Sequence, residues 1–151
     1  MAKMTLTETI DAPRAAVFAR STNIDGWADD ISGITRIERV TEGPFGVGTR
    51  FKETRVMMGK EATEEFEVTE VVQDEHYTMA AESCGTKYLS TFRFADAPGG
   101  GTAVTLEFEG TPQTMIAKVM GAAMGPMMKK MMRKAIAQDM ADLKAACERA
   151  G

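Results

Sequence analysis

The side chains best suited to chemistry are few, and they form no nucleophile–base set. Glu53 and Arg55 stand two apart in the run from Thr49 to Met58, TRFKETRVMM. In a strand, alternation puts Phe51, Glu53, Arg55 and Met57 on one face and Lys52, Thr54, Val56 and Met58 on the other. If the Phe51 face is the inner one, a carboxylate and a guanidinium enter the interior, where each must meet the other, a ligand or water. If the phase is reversed, both are solvated, and alternation alone leaves the two readings open. Tyr88 brings a phenol to the face it shares with Ser90, Phe92 and Phe94. There it is suited to orienting a ligand carbonyl or hydroxyl, or to serving as a satisfied core tyrosine. Glu53, Arg55 and Tyr88 are therefore the candidate catalytic groups, for acid–base work on a largely apolar substrate.

Other chemistries find no support. His76 is the one histidine, so no multi-histidine metal site exists, and its place after Asp74-Glu75 points to a solvated turn. The glycines of GPFGVG lack the downstream lysine of a phosphate loop, and Gly99 to Gly101 read as a hairpin tip. Cys84 and Cys147 stand apart without paired spacing, which points to free thiols in a reducing cytoplasm rather than a disulfide or zinc site. No metal and no cofactor is expected. The formal net charge of -4 argues against nucleic acid as the main partner. No apolar run has the length of a membrane span, and MAKMTLTETI lacks a signal-peptide core.

The elements that must position these residues follow from periodicity. At 151 residues the chain is expected to form one domain, 1–151, with one core. Lys3 to Ile10 alternates as a strand; Asp11-Ala12-Pro13 ends it, with Asp11 placed to cap a short helix from Pro13 to about Ala19. A second helical piece surrounds Trp27, a lone tryptophan of the kind that anchors elements to one another. Six period-two runs then follow: Ile34 to Glu42, Thr49 to Met58, Glu61 to Gln73, Tyr77 to Cys84, Lys87 to Ala95 and Thr102 to Glu109. In the third, Phe66, Val68 and Val72 are expected on one face. Such short connections force antiparallel neighbours.

From Thr111 to Ala150 the period becomes helical. Ile116, Met120, Met124, Met128, Met132, Ile136, Met140, Leu143 and Cys147 recur at intervals of four or three, beside a second stripe of Met115, Val119, Ala123, Met127, Met131 and Ala135. The predicted class is α+β: a strongly curved antiparallel sheet of about seven strands, in β-α-α-β6-α order, wrapped around this helix. Its methionine-rich face fits either a plain core or the adaptable wall of a cavity. Gly125-Pro126 interrupts the pattern and predicts a break or a sharp kink there. Between Thr111 and Gln138 there is no acidic residue, while Lys129, Lys130, Arg133 and Lys134 cluster. That cluster is either a solvated face whose stems cover the core edge or a peripheral contact for an anionic membrane or an acidic protein.

Element order and residues together resemble the START-like helix-grip (SRPBCC) superfamily, and within it the polyketide cyclase/dehydrase and lipid-transport branch. The resemblance spans essentially the whole chain: TETIDAPRAAVFA, NIDGWADDI, GPFGVGTRF, FEVTEVVQDEHYTM, GGGTAVTLEFE and the terminal DMADLKAACE. These patterns are specific for the fold and poor for function. The resemblance implies a hydrophobic cavity between sheet and long helix for a lipid, polyketide or similar small apolar ligand. Some relatives are enzymes, and some bind proteins, as the activators of the heat-shock ATPase do. On this basis Trp27, Phe51, Met57, Phe66, Met79 and Tyr88 are expected to line the cavity. Phe92, Phe108, Met120, Met124 and Met128 are expected to complete it. Ligand binding or transport, cyclase/dehydratase catalysis, and docking through the basic helix patch all remain open at this point.

Overall fold

Threonine-rich alternation makes the first strand, β1 (Ala2–Ile10): Met4 and Ile10 are buried while Thr5, Thr7 and Thr9 face water. The structure is a computed structural model describing residues 2–57 and 59–150; the side chains of residues 2, 57, 124 and 150 lie outside that description. Helix α1 (Arg14–Ser21) follows, then a 3-10 turn (Ile24–Gly26) and the short α2 (Trp27–Asp30). Asp11 does not cap α1 as expected: Pro13 occupies the cap position without a side-chain bond, and Asp11 offers its backbone N–H to Glu148 Oε2 at 2.9 Å.

The remaining strands are β2 (Ile34–Arg39), β3 (Arg50–Met57), β4 (Lys60–Val72), β5 (His76–Ser83), β6 (Thr86–Asp96) and β7 (Thr102–Pro112). They form one open antiparallel sheet of seven strands in the order β1-β7-β6-β5-β4-β3-β2. The element order is the predicted one. The turn between β5 and β6 is the two-residue pair Cys84-Gly85, both at positive φ (50° and 75°), as a primed hairpin turn requires. A Cβ at Gly85 would lie 2.8 Å from Thr114 Oγ1, and Gly85 O accepts the Gln113 N–H at 2.7 Å. That glycine lets the hairpin meet the start of the last helix.

One predicted face is corrected by a bulge. The register of β4 against β5 slips between Val68 and Glu70. Before it, Phe66 and Val68 face inward; after it, Val71 packs on the core and Val72 is exposed. The extra residue reverses the alternation, so Val72 does not join Val68.

One end of the concave sheet face is plugged by α1 and α2. Phe18, Ile24, Trp27, Phe51, Val68 and Tyr77 pack there, each almost wholly buried. Each large apolar side chain so buried contributes about 1.5–3 kcal/mol. Trp27 meets Phe51 edge-on at 5.4 Å and donates its indole N–H to Ser21 O at 3.1 Å. The Tyr77 hydroxyl shares a 2.7 Å hydrogen bond with Ser21 Oγ, so the end of α1 satisfies both buried polar tips.

The last helix, α3, runs unbroken from Met115 to Ala150 with Pro126 inside it, so of the expected break or sharp kink the break does not occur. The carbonyl that loses its partner belongs to Ala122, an exposed residue, so solvent can satisfy it and helix continues on both sides. Thr114 caps the start, its Oγ1 accepting the Ala117 N–H at 3.0 Å. The helix meets β1, β7, α1 and α2, and in its second half Ile136, Met140, Leu143, Ala146 and Cys147 are buried. Replacing Pro126 with Ala restores a donor and removes the ring clash. It is expected to raise the unfolding free energy by roughly 1–3 kcal/mol, read from urea denaturation. A lowered midpoint would instead mean that Pro126 is matched to the packing around it.

Candidate functional site

The phase left open by alternation is settled by Phe51. Its ring is fully buried between Trp27 and Phe66, which turns Glu53 and Arg55 to the same, inner side of β3. Arg55 donates through Nε to Glu53 Oε2 at 2.8 Å. Its two terminal nitrogens reach both carboxylate oxygens of Asp139 on α3, at 3.1 and 2.6 Å. This bidentate pair ties the third strand to the terminal helix, with the planar fork matching the carboxylate. Gly33 makes room for it: a Cβ there would stand 2.9 Å from Arg55 Nη1.

A further carboxylate enters from β4. Glu64 lies directly opposite Glu53 in the β3–β4 register and is also partly buried. Like charges opposite one another in a sheet repel. Arg55 pairs directly with two carboxylates, its charge also acts on Glu64, and the pKa of each responds. Burial pushes the Glu53 carboxyl above the ordinary carboxylate range, against the pull of Arg55. Burial raises Asp139 and Glu64 as well, again opposed by Arg55. For Arg55 burial works to lower the pKa, but hydrogen bonds to Asp139 and the charges of Glu53 and Asp139 outweigh it and hold the guanidinium protonated.

Below this polar edge the inner face is apolar, and the strand register sets it in rows. Phe51, Phe66, Ala81, Tyr88 and Gly110 make one row; Val68, Met79, Ser90, Phe108 and Met4 make the next; Tyr77, Phe92, Leu106 and Leu6 follow. Tyr88 stacks on Phe108 at 5.5 Å and lies against Gly110, where a Cβ would stand 3.1 Å from its ring. Burial, and then the charge of Glu64, raises the Tyr88 hydroxyl pKa.

The expected lining residues divide by depth. Trp27, Phe51 and Met79 are buried at the closed end or floor. Phe66, Tyr88, Phe92 and Phe108, with Leu6 and Met132, remain partly exposed on the inner side. Met120 and Met128 depart from the expectation of a covered helix face: they are 55% and 42% exposed. The same stripe is buried only from Ile136 on, because steps of four drift about 40° each at 3.6 residues per turn and carry Met120 about 160° around the helix from Ile136. Met57 and Met124 carry side chains outside the described ones, and Met58 lies outside the described residues altogether. Two shallow depressions, of about 210 and 400 Å³, lie elsewhere, beside Arg50 and Glu65 and beside Pro13 and Cys147. Neither gathers the polar groups of the inner face.

Sequence reasoning did not find Glu64 or Asp139. Glu64 sits among exposed glutamates in β4, and only the register shows which of them faces Glu53. Asp139 carried a local signal: it is the first acidic residue of α3 after a long basic stretch, next to the buried Met140. His76 begins β5 instead of lying in the turn, and its Nε2 meets Glu70 Oε1 on the neighbouring strand. Among the described residues no cluster of three or more His, Cys, Asp or Glu is placed to hold a metal ion. No described helix is long and apolar enough to cross a membrane.

With this geometry in view, comparisons with known proteins are informative about fold. Residues 1–148 match the family described as polyketide cyclase / dehydrase and lipid transport. Among solved structures, the protein TTHA0849 from Thermus thermophilus is similar at a TM-score of 0.82 and 20% identity, covering 99% of each chain. A START superfamily protein from Mycobacterium smegmatis gives 0.78 at 10% identity, with 99% of both chains covered. The Zhui aromatase/cyclase from Streptomyces sp. R1128 gives 0.76 at 13% identity, covering 98% of this chain and 94% of that one. No curated protein matches the chain in sequence.

The carboxylate cluster makes stability depend on pH in a defined direction. Glu53, Glu64 and Asp139 keep their protons to higher pH when folded than when unfolded. The folded state then binds more protons, so their contribution to stability falls as pH rises from the ordinary carboxylate range through the raised values. Glu53→Gln removes one such group, and its stability relative to the parent should improve as pH goes from about 4 to about 7. Urea denaturation across that range checks it; a pH-independent difference would refute the assignment. Arg55→Ala, which strands Glu53 and Asp139, is expected to cost about 3–5 kcal/mol near neutral pH.

Proposed function

The chain belongs to the polyketide cyclase/dehydrase and lipid-transport family. From that premise we propose that it binds a small apolar molecule, a lipid or a polyketide, between the inner sheet face and α3. The observation that carries this reading is the set of inward side chains left partly exposed: Leu6, Phe66, Tyr88, Phe92, Phe108 and Met132. Water-exposed aromatic and aliphatic surface facing a concavity is unfavourable until something apolar covers it. Glu53, Arg55 and Glu64 stand at one end of the apolar rows, where they suit the polar end of such a molecule. Tyr88 lies between, with its hydroxyl available to orient a carbonyl. Binding and release suffice for carriage or sequestration. The described thiols Cys84 and Cys147 are unpaired, and we place this activity in a reducing cytoplasm.

A second reading, cyclase/dehydratase catalysis, is favoured by one specific observation. Glu53 and Glu64 face each other on the inner side, both held toward the protonated form by burial. A carboxylic acid so poised can donate a proton to a departing hydroxyl, and a neighbouring carboxylate can accept one from carbon. The two readings separate on what is recovered. A carrier returns its ligand unchanged, whereas an enzyme converts it at a rate that falls in Glu53→Gln and Glu64→Gln.

Displacement of a fluorescent fatty acid, together with native mass spectrometry of gently purified protein, tests the favoured reading. One apolar molecule per chain is expected. A chain with neither a displaceable probe nor a bound mass would overturn it. Tyr88→Phe should weaken binding of a carbonyl-bearing ligand by about five- to tenfold, the worth of one hydrogen bond, and leave a plain hydrocarbon probe unaffected.

A further inference from the structure

The charges of α3 are segregated along its length, and so are its attachments. Its acidic residues, Asp139, Asp142 and Glu148, all lie in the second half, and each takes a polar contact from another part of the fold. Arg55 binds Asp139, Ser32 binds Asp142, and the Asp11 N–H binds Glu148, while Lys144 donates to Thr9 O. Among the described residues the first half takes no such polar contact beyond its start beside Gly85. From Met115 to Gln138 it carries Lys118, Lys129, Lys130, Arg133 and Lys134 and no acid. All five cations are exposed, and none forms an ion pair among the described residues.

The apolar residues of this half are not under cover either. Met115, Ile116, Val119, Met120 and Met127 are 55–77% exposed. At 3.6 residues per turn they fall on one side, centred away from the buried Ala117, and Lys130 and Lys134 continue the same side further along. The outward face is thus apolar first and cationic next, on a chain whose net charge is -4.

We propose that the first half of α3 is a peripheral docking surface for anionic lipid bilayers. The methionine, isoleucine and valine side chains enter the headgroup boundary, and the cations rest on the anionic headgroups. Charge complementarity selects this occupant. A second copy docked face to face would set Lys130 and Lys134 against the like charges of the other copy. The face is also a convex helix of flexible side chains, offering no pocket for the aromatic or arginine anchor of a protein partner. A bilayer requires only an apolar strip flanked by positive charge. This surface is separate from the sheet–helix cleft, and its test does not depend on what the cleft holds.

Sedimentation of the full chain with vesicles decides the matter. Vesicles of phosphatidylcholine and phosphatidylglycerol in equal parts should carry the protein down, and vesicles of phosphatidylcholine alone should not. Binding should weaken as salt is raised. The combined variant Lys130→Gln, Arg133→Gln, Lys134→Gln should weaken partitioning by about a hundredfold. Ile116→Ser with Met120→Ser should weaken it by at least about tenfold. Each of these positions is exposed, so both variants should melt with the parent and bind a fluorescent fatty acid as before. Equal binding to neutral and anionic vesicles, undiminished binding by the variants, or no sedimentation with either vesicle would overturn the proposal. Capture by an acidic protein in place of vesicles would overturn it too. Vesicle binding without fatty-acid binding would count against the cleft reading alone.

Discussion

One α-helix, about 10 Å across, cannot cover the concave face of seven strands set about 4.8 Å apart. Much of the structure answers that mismatch. The short helices α1 and α2 cover one end, and there the aromatic core closes around Tyr77, Phe51 and Trp27. The second half of α3 covers the flank at β1, where Lys144 donates to Thr9 O. What remains is a strip of inner surface on β4 to β7 whose aromatic side chains are only partly hidden. That uncovered strip is the surface on which the proposed apolar ligand would lie.

Arg55 is one of the points at which sheet and helix are held together, and the one that joins α3 to β3. A charge placed this deep is tolerated because its fork is filled, by Glu53 on its own strand and by Asp139 across the gap. The arrangement is overfilled on the acidic side. With Glu64 opposite Glu53, protonation of one carboxyl relieves the excess, which links the tether between β3 and α3 to pH. The same side chains therefore bear on the helix attachment, on the polar end of the cleft and on any acid–base chemistry performed there.

Helix α3 shows how one periodic pattern can meet two environments. From Ile116 to Cys147 the apolar stripe is continuous in sequence, yet Ile116, Met120 and Met128 are exposed while Ile136, Met140, Leu143 and Cys147 are buried. The spacing itself separates the halves: at 3.6 residues per turn each step of four drifts about 40°, so Ile116 and Ile136 stand on nearly opposite sides of the helix. Charge separates them too: acids that find partners on the body of the fold begin at Asp139, and before it on α3 only cations occur.

Alternation, turn residues and the helical period determined the element order and the α+β class, because these depend on contacts between near neighbours in the chain. They also placed Phe66, Tyr88, Phe92 and Phe108 on inner faces, since each lies in a strand whose alternation stays in phase there. Three features needed the tertiary structure. The bulge in β4 exchanged Val71 for Val72, an offset that appears only when β5 is paired beside it. The inward turn of Glu53 and Arg55 was decided by where Phe51 could bury its ring, between Trp27 and Phe66. The partner of Arg55 was Asp139, 84 residues away, which no local spacing could select. Strand and helix are local consequences of side-chain pattern; which face is inside, and what a buried charge meets there, is set by elements distant in sequence competing for the same interior space.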